Sequence, residues 1–446
     1  MGQDMPTDTI PLKYATRINS TTLPETTDKS FPFLYIDIGS VTAGGHIEMP
    51  EDLTCFGEAP SRARRTAPPG AVVVSTVRTY LRAVARVPVS EDPLVFSTGF
   101  ATLEAKDNLD PGFLAYACRS DSFVDEVVAR SVGVSYPAIN SSDLAAIRIP
   151  LPPVGEQRRI ADFLDDQVGR LNAVINLRES QIENLKAAAV SRIQSAVLGR
   201  TDYESCTSAD GPLLPCPSGW QVRRNRTFIR EVAALTETGD EELLTVSHIT
   251  GVTPRSEKTV TMFEAETNVG YKCVEPEQLV INTMWAWMGA LGVSRLQGIV
   301  SPAYGVYRFT DENAVPGYFD HLFRSPAYIA EMTRYSKGVW SSRLRLYPDA
   351  FLSLVTPFPP RQVQREIAEA ADRIQTSIAA SINQLDRSIP LMEERKRAVI
   401  TAAVTGELDV TTARPIGVGK WVPNVVAPVD SSPSAQAQAP SIGGIG

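Results

Sequence analysis

Histidine is nearly absent from this sequence. His46, His248 and His321 are the only ones in 446 residues, and they lie far from the cysteines. That argues against a structural zinc site, which needs clustered cysteine and histidine ligands, and no metal is expected. Cysteine is sparse as well: Cys55, Cys118, Cys206, Cys216 and Cys273 are scattered, with no CxxC pair. An odd number of isolated cysteines in a long chain fits free thiols in a reducing cytoplasm. No apolar run reaches about eighteen residues, so no membrane span is expected. The opening MGQDMPTDTIPLKY has no basic stretch followed by an apolar one, so no secretory signal is expected. Catalytic signatures are missing too. There is no GxxxxGK[ST], no GxGxxG after a strand, no GxSxG and no HExxH. The Asn-Pro-Pro-aromatic tetrapeptide with which amino-methyltransferases hold a flipped base is also absent. General acid–base chemistry would fall to carboxylates, and the pairs Asp165-Asp166 and Glu241-Glu242 read as solvated faces. No catalytic residue is expected. The net charge of -8 argues against a chain that grips nucleic acid alone through bulk charge.

What the sequence does contain is itself, twice. LPPVGEQRRIADFLDDQVGRL begins at Leu151 and FPPRQVQREIAEAADRIQTSI begins at Phe358. A shift of 207 positions, without a gap, puts Pro152-Pro153 on Pro359-Pro360, Gln157 on Gln364 and Ile160-Ala161 on Ile367-Ala368. It also puts Ile175 on Ile382, Ile182 on Ile389, Ile193 on Ile400 and Gly199 on Gly406. With small slips the match extends upstream. PGFLAYACRS at Pro111 answers PGYFDHLFRS at Pro316, and PPGAVVVST at Pro68 answers EPEQLVINT at Glu275. Each repeat is thus a globular region followed by one long helix.

The helical segments carry apolar residues at alternating four- and three-residue steps. Leu164, Val168, Leu171, Ile175, Ile182 and Leu185 form the seam of the first, and Ile378, Ile382, Leu385, Ile389 and Met392 that of the second. A seam sustained over several heptads predicts coiled-coil pairing. Arg178, Arg192, Gln375 and Lys396 interrupt it. Each diproline sits where a helix can begin, and each glycine where it can stop. Pro390 predicts a kink or local break. Two equivalent helices in one chain most simply pair with each other, antiparallel about a pseudo-twofold axis, with the globular regions at opposite ends of a rod.

The globular regions have short β-like runs, such as AVVVSTV and QLVINTMW, and helical stretches near FLAYACRSDSFVDEVVARS and YFDHLFRSPAYIAEMTRYS. The expected fold class is α+β: two tandem globular domains, each followed by a long helix. The expected boundaries are 1–150, 151–200, 201–357 with a linker at 201–218, 358–410, and a disordered tail at 411–446 rich in Pro, Ala, Ser and Gly.

Binding signals are clearer than catalytic ones. Arg62, Arg64 and Arg65 stand in SRARRTAPPG, and Ser75, Thr76, Arg78 and Arg82 in STVRTYLR. The second repeat has Arg223 and Arg224, then Asn282 and Trp285, then Lys337, Trp340, Arg343 and Arg345 in SKGVWSSRLRLY. Basic residues interleaved with aromatic and small polar ones suit contact with phosphates and base edges. The alternative for any single arginine is a solvated surface charge. If Trp285 and Trp287 lie on a strand, one faces in and the other out.

These residues resemble the DNA-specificity subunits of type I restriction–modification enzymes. The resemblance runs from about residue 10 to residue 410. It is carried by IPLPPVGEQRRIADFLD, by its echo PFPPRQVQREIAEAAD, and by LVINTMWAWMGALGVSRLQGIVSPAYGVYRF. It implies that each globular region is a target-recognition domain reading one half of a split double-stranded DNA sequence. The helices would act as spacers that set the gap. Two modification subunits would methylate adenine with S-adenosylmethionine, and restriction subunits would use ATP and Mg2+. This chain would bind none of those cofactors itself. Two departures stand out. The second repeat has Val363 where the first has Glu156, and the first repeat lacks the Pro-x-Gly-Trp of Pro217–Trp220. Two other readings stay open: a fused enzyme, which the missing motifs argue against, and a coiled-coil scaffold that selects no DNA.

Overall fold

The computed structural model describes residues 8–199, 214, 216–257, 267–338 and 344–411. The expected tail after Thr411, most of the expected linker, Trp340 and Arg343 lie outside the described residues. The chain divides into two compact units. The first holds Met1–Ala173 and Met392–Gly446, and the second holds Val174–Leu391.

The first unit has a four-stranded antiparallel sheet in the order Thr16–Ile18, Phe100–Ala105, Val72–Ser75, Val84–Arg86. All four residues of Val72–Ser75 are buried. Val72 and Val74 join one apolar cluster, with the helices, while Val73 joins another, with the second sheet of this unit. A strand covered on both faces reads as an unbroken apolar run, which is why AVVVS shows no alternation. The second sheet has five strands, in the order Thr21–Thr22, Ala63–Thr66, Leu94–Ser97, Pro32–Ile36, Thr54–Cys55, with one parallel pair between Pro32–Ile36 and Leu94–Ser97. The second unit repeats the four-stranded sheet as Ile229–Glu231, Tyr304–Phe309, Leu279–Asn282, Leu291–Val293. Leu279 and Ile281 face the helical core, and Val280 faces a smaller cluster on the other side.

The long helices run Val154–Val197 and Arg361–Thr405. At 1.5 Å per residue each is roughly 66 Å long. The second is continuous through Pro390, so the expected break is not found. Gly199 and Gly406, just past the ends, have φ of 73° and 83°, the left-handed conformation that closes a helix at low cost for glycine. Within each unit the start of one helix packs with the end of the other. Ile160, Leu164 and Val168 share a core with Ile400, Ala403 and Val404 in the first unit. Val197 and Leu198 share one with Ala368 in the second. The pairing is antiparallel in both. Of the seam residues, Leu164, Val168, Ile175 and Ile182 are buried. Leu171, Leu185, Ile378, Ile382, Leu385, Ile389 and Met392 are half-buried.

Each long helix is locked to its unit by a buried glutamine. Gln157 accepts from the backbone N–H of Asp110 at 2.8 Å and donates to the Pro152 carbonyl at 2.7 Å. Gln364 accepts from Val315 N–H at 2.8 Å and donates to the Pro359 carbonyl at 2.7 Å. The glutamine makes this lock in both repeats, so the exchange of Glu156 for Val363 leaves it intact. The end of the expected linker is packed rather than loose: Leu214 and Cys216 are 2% and 6% exposed.

Candidate nucleic-acid interface

Each unit builds the same composite surface. After the central strand Val72–Ser75 the chain makes a 3-10 turn at Thr79–Leu81, and after Leu279–Asn282 it makes one at Ala286–Met288. A later loop returns to this turn. In the first unit Val132 bridges to Ala138, and Ile139 N–H donates to the Thr76 carbonyl at 2.9 Å. In the second, Lys337 bridges to Arg345, and Leu346 N–H donates to the Thr283 carbonyl at 2.9 Å. The later loops begin with the related segments SVGV at Ser131 and SKGV at Ser336.

The side chains these turns present differ. In the first unit Arg78 and Arg82 flank the turn with φ of 50° and 56°. The Arg78 guanidinium lies 5.0 Å from the centre of the Tyr136 ring. Tyr80, Val134 and Tyr136 are exposed beside it. In the second unit Trp285 and Trp287 stack, with centroids 6.0 Å apart and planes 20° from parallel. The strand alternation expected for this pair does not apply, because the chain turns there. Trp287 is anchored through Nε1–H to the Met284 carbonyl at 3.0 Å, while Trp285 is 49% exposed. Lys337 and Arg345 are exposed on the adjoining loop. Thus Trp285, Lys337 and Arg345 are brought together, as are Arg78 and the unforeseen Tyr80 and Tyr136.

Of the other expected contacts, Ser75 and Asn282 are buried, which corrects those two, while Thr76 and the remaining arginines are engaged by groups of this chain. Ser75 is 3% exposed and its hydroxyl donates to the Val77 carbonyl at 2.6 Å. Asn282 is 6% exposed and its amide donates to the Tyr304 hydroxyl. Both shape the turn from inside. Thr76 is half-buried and donates to the Gly99 carbonyl at 2.8 Å. Arg82 pairs with Asp121 and lies 3.8 Å from Asp125. Arg65 donates to the Phe100 carbonyl at 3.2 Å, and burial pushes its guanidinium below its ordinary pKa. Arg64 lies over the Phe56 ring, and Arg62 donates to the Tyr35 hydroxyl at 3.1 Å. These three belong to or flank the strand Ala63–Thr66 in the other sheet, which reaches the base of the turn through Thr98 and Gly99: Thr98 N–H donates to the Arg62 carbonyl at 2.7 Å and Thr76 N–H to the Gly99 carbonyl at 2.8 Å. Arg223 pairs with Asp311 at 2.7 Å and lies 4.3 Å from the centre of the Phe358 ring. The Asp311 carboxyl is held below the usual carboxylate range, first by Asn313 N–H and then by Arg223. Arg224 donates to the Ser353 carbonyl at 3.0 Å. Both residues serve the strand pair Gln221–Arg224 and Val355–Phe358. Among the described residues no group of three or more His, Cys, Asp or Glu could hold a metal ion. No helix there is long and apolar enough to cross a membrane.

Residues 66–184 match the family model described as the type I restriction modification DNA specificity domain. That part of the chain is similar to a type I specificity domain. Over 140 residues it is 24% identical to the type I restriction enzyme MjaIX specificity subunit of Methanocaldococcus jannaschii, a match covering 31% of this chain and 32% of that one. Over 310 residues it is 21% identical to the EcoKI specificity subunit of Escherichia coli, covering 67% of this chain and 65% of that one. The matches therefore span about a third and just under two thirds of these curated relatives. A solved structure from work on complex assembly and conformational transition of the type I R-M system shares the fold. Its TM-score is 0.68 at 22% identity, over 90% of this chain and 98% of that one. The matched residues take in the first turn, the later loop and most of the first long helix, as far as residue 184.

Proposed function

We propose that this chain is the DNA-reading subunit of a cytoplasmic type I restriction–modification complex and that it reads a split double-stranded target, one half with each unit. The observation that carries this reading is the repeated composite of turn and loop. Two units share one backbone design but present different side chains: Arg78, Tyr80 and Tyr136 in one, Trp285, Lys337 and Arg345 in the other. Same scaffold with different surface is what two half-sites of different sequence require. The two long helices would set the gap between the halves. Two modification subunits would dock on the chain and methylate adenine with S-adenosylmethionine, and restriction subunits would translocate and cut with ATP and Mg2+. In this reading the chain contributes no catalytic group and binds none of those cofactors.

A single-molecule map of methylated adenines in the source genome, with this gene intact and deleted, tests the proposal. A split motif with a fixed gap that disappears on deletion is the expected result. A methylation pattern unchanged by deletion, in cells that make active modification subunits, would overturn it in favour of a scaffold that selects no DNA.

A further inference from the structure

A cleft of about 490 Å³ opens in the second unit among its two long-helix segments and the segment carrying His248 and Ile249. The equivalent place in the first unit is filled, and the residue changes that empty it can be read position by position. In the first unit Lys396 is 3% exposed, and its ammonium donates to Asn172 Oδ1 at 3.0 Å and to Glu393 Oε1 at 2.8 Å. Gly44 lies against the same ammonium, since a Cβ there would stand 3.6 Å from it. The 207-residue shift places Lys396 on Ala189, Asn172 on Ala379 and Glu393 on Lys186. Two alanines stand where a lysine and an asparagine filled space, and a carboxylate has become an ammonium. The frame is otherwise kept. Arg119 donates to the Gly44 carbonyl in the first unit, and Arg324, its counterpart, donates to the Ile249 carbonyl at 2.8 Å in the second. The same frame surrounds a plug in one repeat and a cleft in the other.

The lining has a definite chemistry. Ile193, Ile378 and Ile382 join the two alanines as an apolar wall. Lys186, Arg324, His248 and His321 supply the basic groups, Gln194, Ser325 and Gln375 neutral polar ones, and among the described lining residues there is no carboxylate. Glu183, Asp320 and Asp372 pair with Lys186, Arg324 and His321 from outside the lining, so the cleft offers N–H donors rather than a large excess of positive charge. On the rim, Ile249 is 73% exposed and Val190 about half exposed. Exposed aliphatic residues beside a concave apolar wall mark surfaces that another chain covers.

We propose that this cleft docks a partner polypeptide which inserts an apolar side chain with a carboxylate beside it, and that Lys396 and Asn172 close the corresponding place in the first unit. The wall takes the side chain, while Lys186 and Arg324 meet the carboxylate at the rim. A carboxylate held there is less screened than one in open water. The two repeats, alike in fold, thereby become distinguishable to a partner.

The test uses the full chain and saturation-transfer NMR. N-acetyl-phenylalanine at millimolar concentration is the probe, its neutral amide the control, and octanoate a competitor. Transfer to the probe's ring protons is expected, about fivefold weaker for the amide. It should vanish in the double variant Ala189→Lys/Ala379→Asn, which copies the first unit's filling. Should that variant fail to fold, Lys186→Glu serves instead and should abolish the preference for the carboxylate over the amide. No transfer to the probe, equal transfer in the variants, or a site that takes octanoate but not the probe would each overturn the proposal. The last outcome would assign the cleft to a free amphiphile.

Discussion

Arg78 and Trp285 stand at the same position of the two repeats, 207 residues apart, and their difference decides what each turn can hold. Arg78 is a donor fork steadied by an aromatic ring; Trp285 is an exposed face steadied by a second indole. Replacing either by alanine is expected to weaken specific DNA binding by the assembled complex about tenfold or more, read by titration of a labelled duplex at fixed salt. Arg224→Ala should leave it unchanged, because that guanidinium is bonded to the Ser353 carbonyl. A reversed ranking would move the reading surface to the strand Gln221–Arg224. At this scale the sequence was partly legible. It showed the basic and aromatic stretches, but it could not separate an arginine at a turn from one bonded to a backbone carbonyl of its own unit, because composition is the same in both. Tyr80 and Tyr136 escaped notice because nothing local marks them. The shift that sets Tyr80 on Trp287 would have found the first. Asn225 was equally silent. It is fully buried, donating to the Tyr328 hydroxyl at 3.0 Å and the Phe351 carbonyl at 2.9 Å, and accepting from Thr356 at 2.6 Å. Asn225→Ala removes three buried hydrogen bonds, although the Tyr328 and Thr356 hydroxyls stay bonded to each other at 2.7 Å, and is expected to cost the second unit about 2–3 kcal/mol, measured by urea unfolding.

Among the elements, the long helices were the most legible, since a four-three seam, a diproline start and a glycine stop agree with one another over more than forty residues. What the pattern did not show is how the polar seam residues are tolerated. Lys396 looks like an interruption in sequence, yet its ammonium is satisfied by Asn172 and Glu393 in the first unit. The same limit hid the glutamine locks, whose partners, Asp110 and Val315, lie 47 and 49 residues away in the chain. Because each lock joins a long helix to the start of a short one, its loss should loosen that unit rather than unfold the helix. Gln157→Ala and Gln364→Ala are each expected to cost about 1–3 kcal/mol. Hydrogen exchange should quicken at Asp110 for the first and at Val315 for the second. Glu156→Ala should do neither, and an effect as large as that of Gln157→Ala would mean that the acid, not the amide, holds the helix.

Over the whole molecule the repeat means that one design is used twice, and the helices are the part both copies share. Residues 154–173 of the first helix belong to the first compact unit and the rest to the second, while the second helix divides the other way at 391–392. If helix length sets the gap in the target, then added length should change the gap alone. A seven-residue insertion keeps the seam in phase, because seven residues return a coiled-coil position to the same face. One heptad inserted after Asn184 and one after the equivalent Leu391 adds about 10 Å of helix. At about 3.4 Å per base step that is close to three base pairs. The methylation motif of such a variant is expected to keep both half-sites and to gain about three positions between them. A two-residue insertion would instead turn the seam by about 200°, onto the opposite face of the helix, and should destroy the motif. Altered bases within a half-site would show that the helices do more than space, and would return the specificity to a surface that spans both repeats.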